Sequence, residues 1–238
     1  MHQTILEVRP ARAQSLLSLN MPSVDNLFPG FIPGDFAVLY GSPSVTSFTS
    51  LLCIRAQLPV QLGGLDSDVI FIDCKNTFTP NSITRLAQLN HLNPVKARKR
   101  IFNFSAFTAY QLTSLIMEKL EKKIVTYNAK VVIISDITSL FLNDDISKEE
   151  AHRVYSQVVN CLSTLAKKHQ IIVVATHLPH EDNIRNATLR EITSTKATTV
   201  LSYFKTPYTQ ELNLEKHPTY ILGTAEPPSE NMTLTSFM

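Results

Sequence analysis

The residues best placed to do chemistry lie where an apolar run ending at Tyr40 gives way to a helical pattern, through Gly41-Ser42-Pro43-Ser44-Val45-Thr46-Ser47. In an alternating strand–helix fold, the turn from the first strand into the first helix is where phosphate binds, on backbone N–H groups at a helix start. A phosphate loop reads G-x-x-x-x-G-K-[ST]; its glycines let N–H groups wrap the phosphates and its lysine supplies charge. Only Gly41 and Thr46 fit that pattern. Pro43 has no N–H, and the first lysine of the chain is Lys75, well beyond the loop. The segment is either a plain turn or a phosphate loop that has lost its charge, and its own residues leave both readings open.

Other titratable groups carry weaker signals. His177 and His180 bracket Pro179, and with His169 they raise the question of a metal. No Cys or His spacing resembles a zinc motif, so these read as loop histidines and no metal is expected. Asp73 ends an apolar run, a place where a carboxylate is commonly structural. Asp144, Asp145, Glu149 and Glu150 lie before and at a helix start, where acidic groups suit the dipole. Lys96, Arg98, Lys99 and Arg100 crowd the approach to a strand. A solvated turn and a phosphate-contacting patch stand there as equal readings.

The elements that must position these groups follow from periodicity. Short, β-branched apolar runs at 36–40, 69–73, 101–104, 131–135 and 171–176 read as strands buried on both faces. Helical patterns follow them at 46–62, 81–92, 109–127 and 148–169. Leu112, Leu115, Ile116 and Leu120, and Val154, Val158, Leu162 and Leu165, form stripes that read as core. Alternation of this kind argues for a doubly wound, mainly parallel α/β sheet. After His177 the pattern changes, and 198–204 and 219–222 read as late strands forming an antiparallel edge. The expected organisation is an N-terminal segment (1–20), a core (21–226) and a loose Pro-, Ser- and Thr-rich tail (227–238).

Composition narrows the class. With 238 residues, 44% of them hydrophobic, the chain can bury one sizeable core. A net charge of +2 says nothing decisive about nucleic acid, so any basic surface must be local. No apolar stretch approaches the roughly 20 residues of a membrane helix, and no signal peptide is evident. The three widely spaced cysteines, Cys53, Cys74 and Cys161, read as free thiols in a reducing compartment.

Several segments, taken in order, resemble the RadA and eukaryotic RecA-like recombinases. Gln57-Leu58-Pro59-Val60, Gly63-Gly64 and the run from Val69 through Asp73-Cys74-Lys75-Asn76-Thr77-Phe78-Thr79-Pro80 are similar to that family's Q-L-P-I…G-G…Y-I-D-T-E-G-T-F-R-P. Ala106-Phe107 to Gln111-Leu112, the run from Val131 through Ser135-Asp136-Ile137-Thr138-Ser139-Leu140-Phe141, Leu162 to Thr176, and Ser194-Thr195-Lys196-Ala197-Thr198-Thr199 resemble its later motifs. Asn20-Met21-Pro22-Ser23-Val24-Asp25-Asn26-Leu27 stands where the family has T-G-S-x-x-L-D-x-L-L. The likeness covers most of 20–205 and implies a RecA-like domain.

The departures from the family carry the functional expectation. Counting back from Gln57-Leu58-Pro59, Ser44 falls at the second loop glycine, Val45 at the lysine and Thr46 at the magnesium-binding hydroxyl, in a loop two residues short. Lys75 takes the place of the water-activating glutamate. Ser135 takes the place of the Walker B aspartate, with Asp136 one position on, and Leu178 that of the γ-phosphate-sensing glutamine. Strand neighbours face opposite sides, so Asp136 is expected not to substitute unless the strand end is bulged. Lys75 is expected either to fill the emptied site as an internal cation or to stand exposed.

The resemblance thus implies a vestigial nucleotide site of Gly41, Ser44, Val45, Thr46, Lys75, Ser135 and Asp136, without bound cofactor and without ATP hydrolysis. It puts Arg185, Arg190 and Lys196 on a DNA-facing loop after the fifth strand, with Lys96, Arg98, Lys99 and Arg100 auxiliary. The expected role is a recombination mediator that docks on a RadA-type recombinase or another paralogue as a hetero-oligomer. It would bind single-stranded DNA weakly and no membrane, at the nucleoid of a prokaryotic cytoplasm or in a eukaryotic nucleus. The N-terminal DNA-binding domain and the F-x-x-A polymerisation motif of RadA proteins are expected to be missing from 1–20. The family's ATP site lies between neighbouring subunits, where ATP cements a filament. The alternatives are a divergent, DNA-dependent ATPase using Thr46, Asp136 and Asp73 around Mg-ATP with a partner's lysine, and a RecA-fold regulator unrelated to repair.

Overall fold

The computed structural model describes residues 15–180 and 184–228. The expected loose tail from 229 onward, and the first 14 positions of the expected N-terminal segment, lie outside the described residues. Five β-branched runs become strands: β1 (Phe36–Gly41), β2 (Val69–Asp73), β3 (Ile101–Ser105), β4 (Val131–Ser135) and β5 (Ile172–His177). They pair in parallel with one another, β1 pairs in parallel with β6 (Thr199–Lys205), and the antiparallel strands β7 (Gln210–Lys216) and β8 (Gly223–Ala225) complete one sheet in the order β3-β2-β4-β5-β1-β6-β7-β8.

Alternation along each strand divides the core into two. Val38, Ile70, Ile72, Val132 and Ile134 enter one apolar cluster, while Ala37, Leu39, Val69, Phe71 and Ile133 enter the other. The first cluster is covered by α5 (Ala109–Ser114), α6 (Leu120–Tyr127), α7 (Lys148–His169) and α8 (Ile184–Lys196). The second is covered by α2 (Val45–Arg55), α3 (Pro80–Leu89) and the short α4 (Pro94–Lys99). A one-turn α1 (Pro22–Asp25) precedes β1. Among the described residues, no helix is long and apolar enough to cross a membrane.

Several expectations shift. The strand expected at 198–204 stands where the antiparallel edge begins: β6 runs parallel beside β1, with Ala37 opposite Thr199 and Tyr40 opposite Ser202, and antiparallel beside β7. The parallel side follows from α8, which was not foreseen; a helical crossover returns the chain parallel. The antiparallel edge continues through β7, joined to β6 by a short turn, and β8; 219–222 forms no strand. The packed core also begins before residue 21, since Leu17 and Leu19 are fully buried and Leu17 bridges Phe31. The helix expected over 46–62 ends at Arg55. Beyond it the Gln57 carboxamide donates back to the Cys53 and Ala97 carbonyls, at 2.9 and 3.1 Å. The 109–127 helix holds a π-helical insert, Leu115–Lys119, and Cys161 Sγ approaches the Ile116 carbonyl at 3.8 Å.

Candidate functional site

The turn between β1 and α2 is built from hydrogen bonds that close on themselves. Gly41 has φ +126°, and a Cβ there would lie 2.1 Å from the Tyr203 carbonyl oxygen, so the glycine is required by the closeness of β6. The Ser42 N–H donates to that same carbonyl at 2.8 Å, and Ser42 Oγ accepts from the Lys205 N–H at 2.9 Å. The N–H groups of Val45, Thr46 and Ser47 donate to the carbonyls of Ser42, Pro43 and Ser44. The Thr46 hydroxyl also donates to Pro43, at 3.0 Å. Val45, expected in the place of the family's lysine, is fully buried in the core with Phe48 and Tyr203. A phosphate cradle needs convergent N–H groups free to turn outward; here those of Ser42, Val45, Thr46 and Ser47 are engaged within the chain.

A second constellation gathers where β2, β4 and β5 end. Register puts Asp73 beside Ser135. Asp73 is buried and its carboxylate accepts from the N–H groups of Lys75, Thr77 and Phe78 at 3.3, 2.9 and 3.0 Å and from the Thr77 hydroxyl at 3.2 Å. It is therefore a turn-building carboxylate. The Thr77 hydroxyl reaches Ser135 Oγ at 2.5 Å, tying the two loops together.

Asp136 departs from the expectation. It has φ +52°, a left-handed conformation that Asp tolerates better than most residues. The strand ends at Ser135, and this kink, rather than a bulge, brings the side chain to Lys75. The fully buried carboxylate accepts from the Leu178 N–H at 3.2 Å and meets His180 Nε2 at 3.1 Å. Lys75 Nζ stands 3.9 Å away on a side chain 50% exposed, so each of the two readings of Lys75 holds in part. Beside this group, Cys74, Lys75, Ser139, Leu142, Asn143 and His180 border a cavity of about 410 Å³. Burial, then the Asp136 and Asp73 charges, push the Cys74 thiol well up. Among the described residues, no cluster of His, Cys, Asp and Glu is arranged to hold a metal.

The expected DNA-contacting cations are not brought to one face. Arg185, Arg190 and Lys196 lie on α8 rather than on a loop. Arg185 is consumed by the β4–α7 connection, donating to the carbonyls of Ile146 at 2.9 Å, Ser147 at 3.2 Å and Asn143 at 3.4 Å. Arg190 stacks 4.4 Å from the Tyr40 ring centroid. Lys196 is exposed at the other end of the helix, at the amino edge of the sheet. Lys96, Arg98 and Lys99 are exposed on α4, on the opposite layer, while Arg100 is held by Asp68 at 2.6 Å and Asp66 at 3.2 Å. The acidic cluster does start a helix: Ser147 caps α7, with Glu149 and Glu150 in its first turn.

Sequence reasoning missed the part played by Tyr40, His177 and His180. Tyr40 and His177 become neighbours only through the parallel register of β1 and β5, which no local pattern reveals. His180 meets Asp136 at 3.1 Å across 44 residues of sequence, a contact that no local pattern reveals.

A family model described as Rad51 matches residues 23–196. The chain is 27% identical over 135 residues to the DNA repair and recombination protein RadA of Cenarchaeum symbiosum (strain A), a match covering 56% of this chain and 34% of that protein. It is 25% identical over 193 residues to the DNA repair protein RAD51 homolog 2 of Mus musculus, covering 74% of this chain and 55% of that one. The chain thus spans from about a third to about half of the length of these relatives.

Proposed function

Because the chain belongs to the Rad51 family, we propose that it serves recombination and DNA repair as an accessory subunit that does not itself hydrolyse ATP. The observation that carries this reading is the self-contained charge balance at the carboxyl edge of the sheet. Phosphoryl transfer works by positioning, with free N–H donors, cationic groups and a metal around the developing charge. In this chain the N–H groups of Ser42, Val45, Thr46 and Ser47 already donate to its own carbonyls, and Val45 is in the core. The Asp136 carboxylate already has Lys75, His180 and the Leu178 N–H as partners. Asp73 is committed to four donors of its own turn, which leaves Thr46 without a carboxylate to share a magnesium ion.

The partner this reading assigns is a RadA-type recombinase or another paralogue, in a hetero-oligomer, with single-stranded DNA as a weak second ligand at the nucleoid or in the nucleus. The names of the two relatives support the process. Calorimetry with Mg-ATP and a phosphate-release assay test the reading directly. The expected result is no binding heat and no release above a blank from the chain alone, together with retention of a recombinase in a pull-down. Turnover by the chain that Thr46→Ala abolishes would overturn it in favour of a divergent ATPase.

A further inference from the structure

β1 passes into α2 on one face of the sheet and β5 into α8 on the other, and a crevice opens where neighbouring connections part in this way. There a cavity of about 260 Å³ is bounded by Tyr40, His177, Pro179, Arg190 and Phe204. Its walls are flat and aromatic. Arg190 lies over the Tyr40 ring at 4.4 Å, Phe204 meets that ring edge-on at 6.3 Å, and the Tyr40 hydroxyl is tied to both Glu215 oxygens at 2.8 Å. Within the wall is His177, only 2% exposed, whose two ring nitrogens have no hydrogen-bond partner. Burial, then the charges of Arg190 and His180, hold this imidazole far below its ordinary value, at about 3. It is therefore neutral at physiological pH, with one nitrogen donating and the other accepting.

We infer that this cavity is a nucleobase site, taking one purine or pyrimidine ring whose polar edge meets His177 and whose face lies against the Tyr40, Arg190 and Phe204 group. The size admits one ring system and excludes a long chain. A guanidinium and aromatic rings are the surfaces on which bases stack. A base edge carries both donors and acceptors, so it can match whichever ring nitrogen faces the cavity in either tautomer. A free anion matches less well, because the imidazole is uncharged and Glu191 and Glu215 border the adjoining cavity beside Arg190. A partner's phenyl ring would fill the space and leave the imidazole unmatched. The base has two possible sources, a free nucleoside or a base turned out of a single strand. The second rests on the proposed DNA contact and gives it a base-reading element; the first does not.

The test uses the full chain, with histidine-ring resonances assigned through His177→Phe, a variant that keeps a planar aromatic ring and removes both nitrogens. Free nucleosides, a short single-stranded oligonucleotide and its abasic counterpart are titrated in turn. The expected result is a shift of the His177 ring with the base-bearing strand and not with the abasic one. The base-bearing strand should bind about tenfold more tightly, a ratio that His177→Phe brings to about one while abasic binding is unchanged. If His177→Phe fails to fold, Phe204→Ala at the exposed rim is expected to reduce the same ratio. A shift with nucleosides while neither strand binds upholds the site and rejects the strand as its source, along with the DNA contact. Equal binding of both strands with no response to nucleosides overturns the site, as does a ratio that survives both variants; water alone then fills the cavity.

Discussion

At the scale of single residues, Asp136 and His177 pose opposite electrostatic problems. Asp136 is a buried charge with its partners in place; His177 is a buried polar group that avoids charge altogether. For Asp136 the backbone matters as much as the carboxylate, because φ +52° costs an ordinary L-residue roughly 1–2 kcal/mol while Asn is tolerated. Asp136→Asn is expected to keep the kink and the Leu178 N–H bond and to cost about 1 kcal/mol. Asp136→Ala keeps neither and is expected to cost about 3 kcal/mol. Urea denaturation of both variants checks this, and equal losses would show that the kink carries none of the cost. For His177, the folded value of about 3 lies below the unfolded 6.5. As pH falls from 6.5 toward 3, the unfolded chain takes a proton that the folded chain refuses, so stability drops on the acid side. His177→Phe removes that proton, and its stability curve in this window should be shallower by about 1.4 kcal/mol per pH unit. An unchanged acid limb would mean that the imidazole is protonated in the fold.

At the scale of elements, α8 reorganises the expected DNA surface. Five residues along a helix is a rotation of roughly 140°, so Arg185 and Arg190 point to different sides, and Lys196 stands at the far end. Arg185 closes the β4–α7 connection through carbonyls. Arg185→Ala should therefore lower stability by about 1–3 kcal/mol and leave the salt dependence of single-strand binding as it was. Lys196→Ala should leave stability intact and flatten the slope of log affinity against log salt by no more than about 0.7, one phosphate contact. Fluorescence anisotropy across a salt series separates the two, and a slope lowered by Arg185→Ala alone would return that residue to the DNA surface. The contrast shows what a sequence discloses. Four of the five strands were legible as apolar runs buried on both faces, β3 at the sheet edge was legible only from its apolar Ile101, Phe102 and Phe104, and α7 was legible because its apolar stripe is regular and capped by Ser147. α8 was not, because only Leu189 and Thr193 are buried along it and its polar surface reads as loop. β7 alternates polar and apolar residues with only Leu212 and Leu214 buried, too weak a signal against its charged neighbours. The likeness to recombinases rested on residues that prove architectural. Gln57 ties α2 to α4, and Gly64 stands where a Cβ would lie 2.1 Å from the Leu58 carbonyl oxygen. Such constraints act on the fold whatever the site does, so the fold was readable while the site, assembled by register and by one kink, was not.

At the scale of the whole molecule, a self-balanced nucleotide crossing changes what holds an assembly together. A ligand that binds only the assembled or folded state adds RT ln(1 + [L]/Kd), about 2.7 kcal/mol per site at a hundredfold excess over Kd. A recombinase whose ATP lies between subunits gains that increment at every junction, and its filament grows with nucleotide. In this chain Lys75 already stands beside the Asp136 carboxylate and the N–H groups of Ser42, Val45, Thr46 and Ser47 are engaged, so under the proposed function ATP has little differential affinity to contribute. Its own face can still pack against a partner that brings nucleotide, and then the partner's ATP is the ligand that stabilises the pair. Thermal unfolding and light scattering check this from two sides. Mg-ATP should leave the thermal midpoint of the isolated chain unmoved, and scattering should register a small species whether or not ATP and DNA are present. Added recombinase should produce a larger species whose stability depends on ATP, since the linkage now runs through the partner's site. Long ATP-dependent filaments of the chain alone would show that a nucleotide junction forms despite the internal charge balance, and would return the molecule to the ATPase reading.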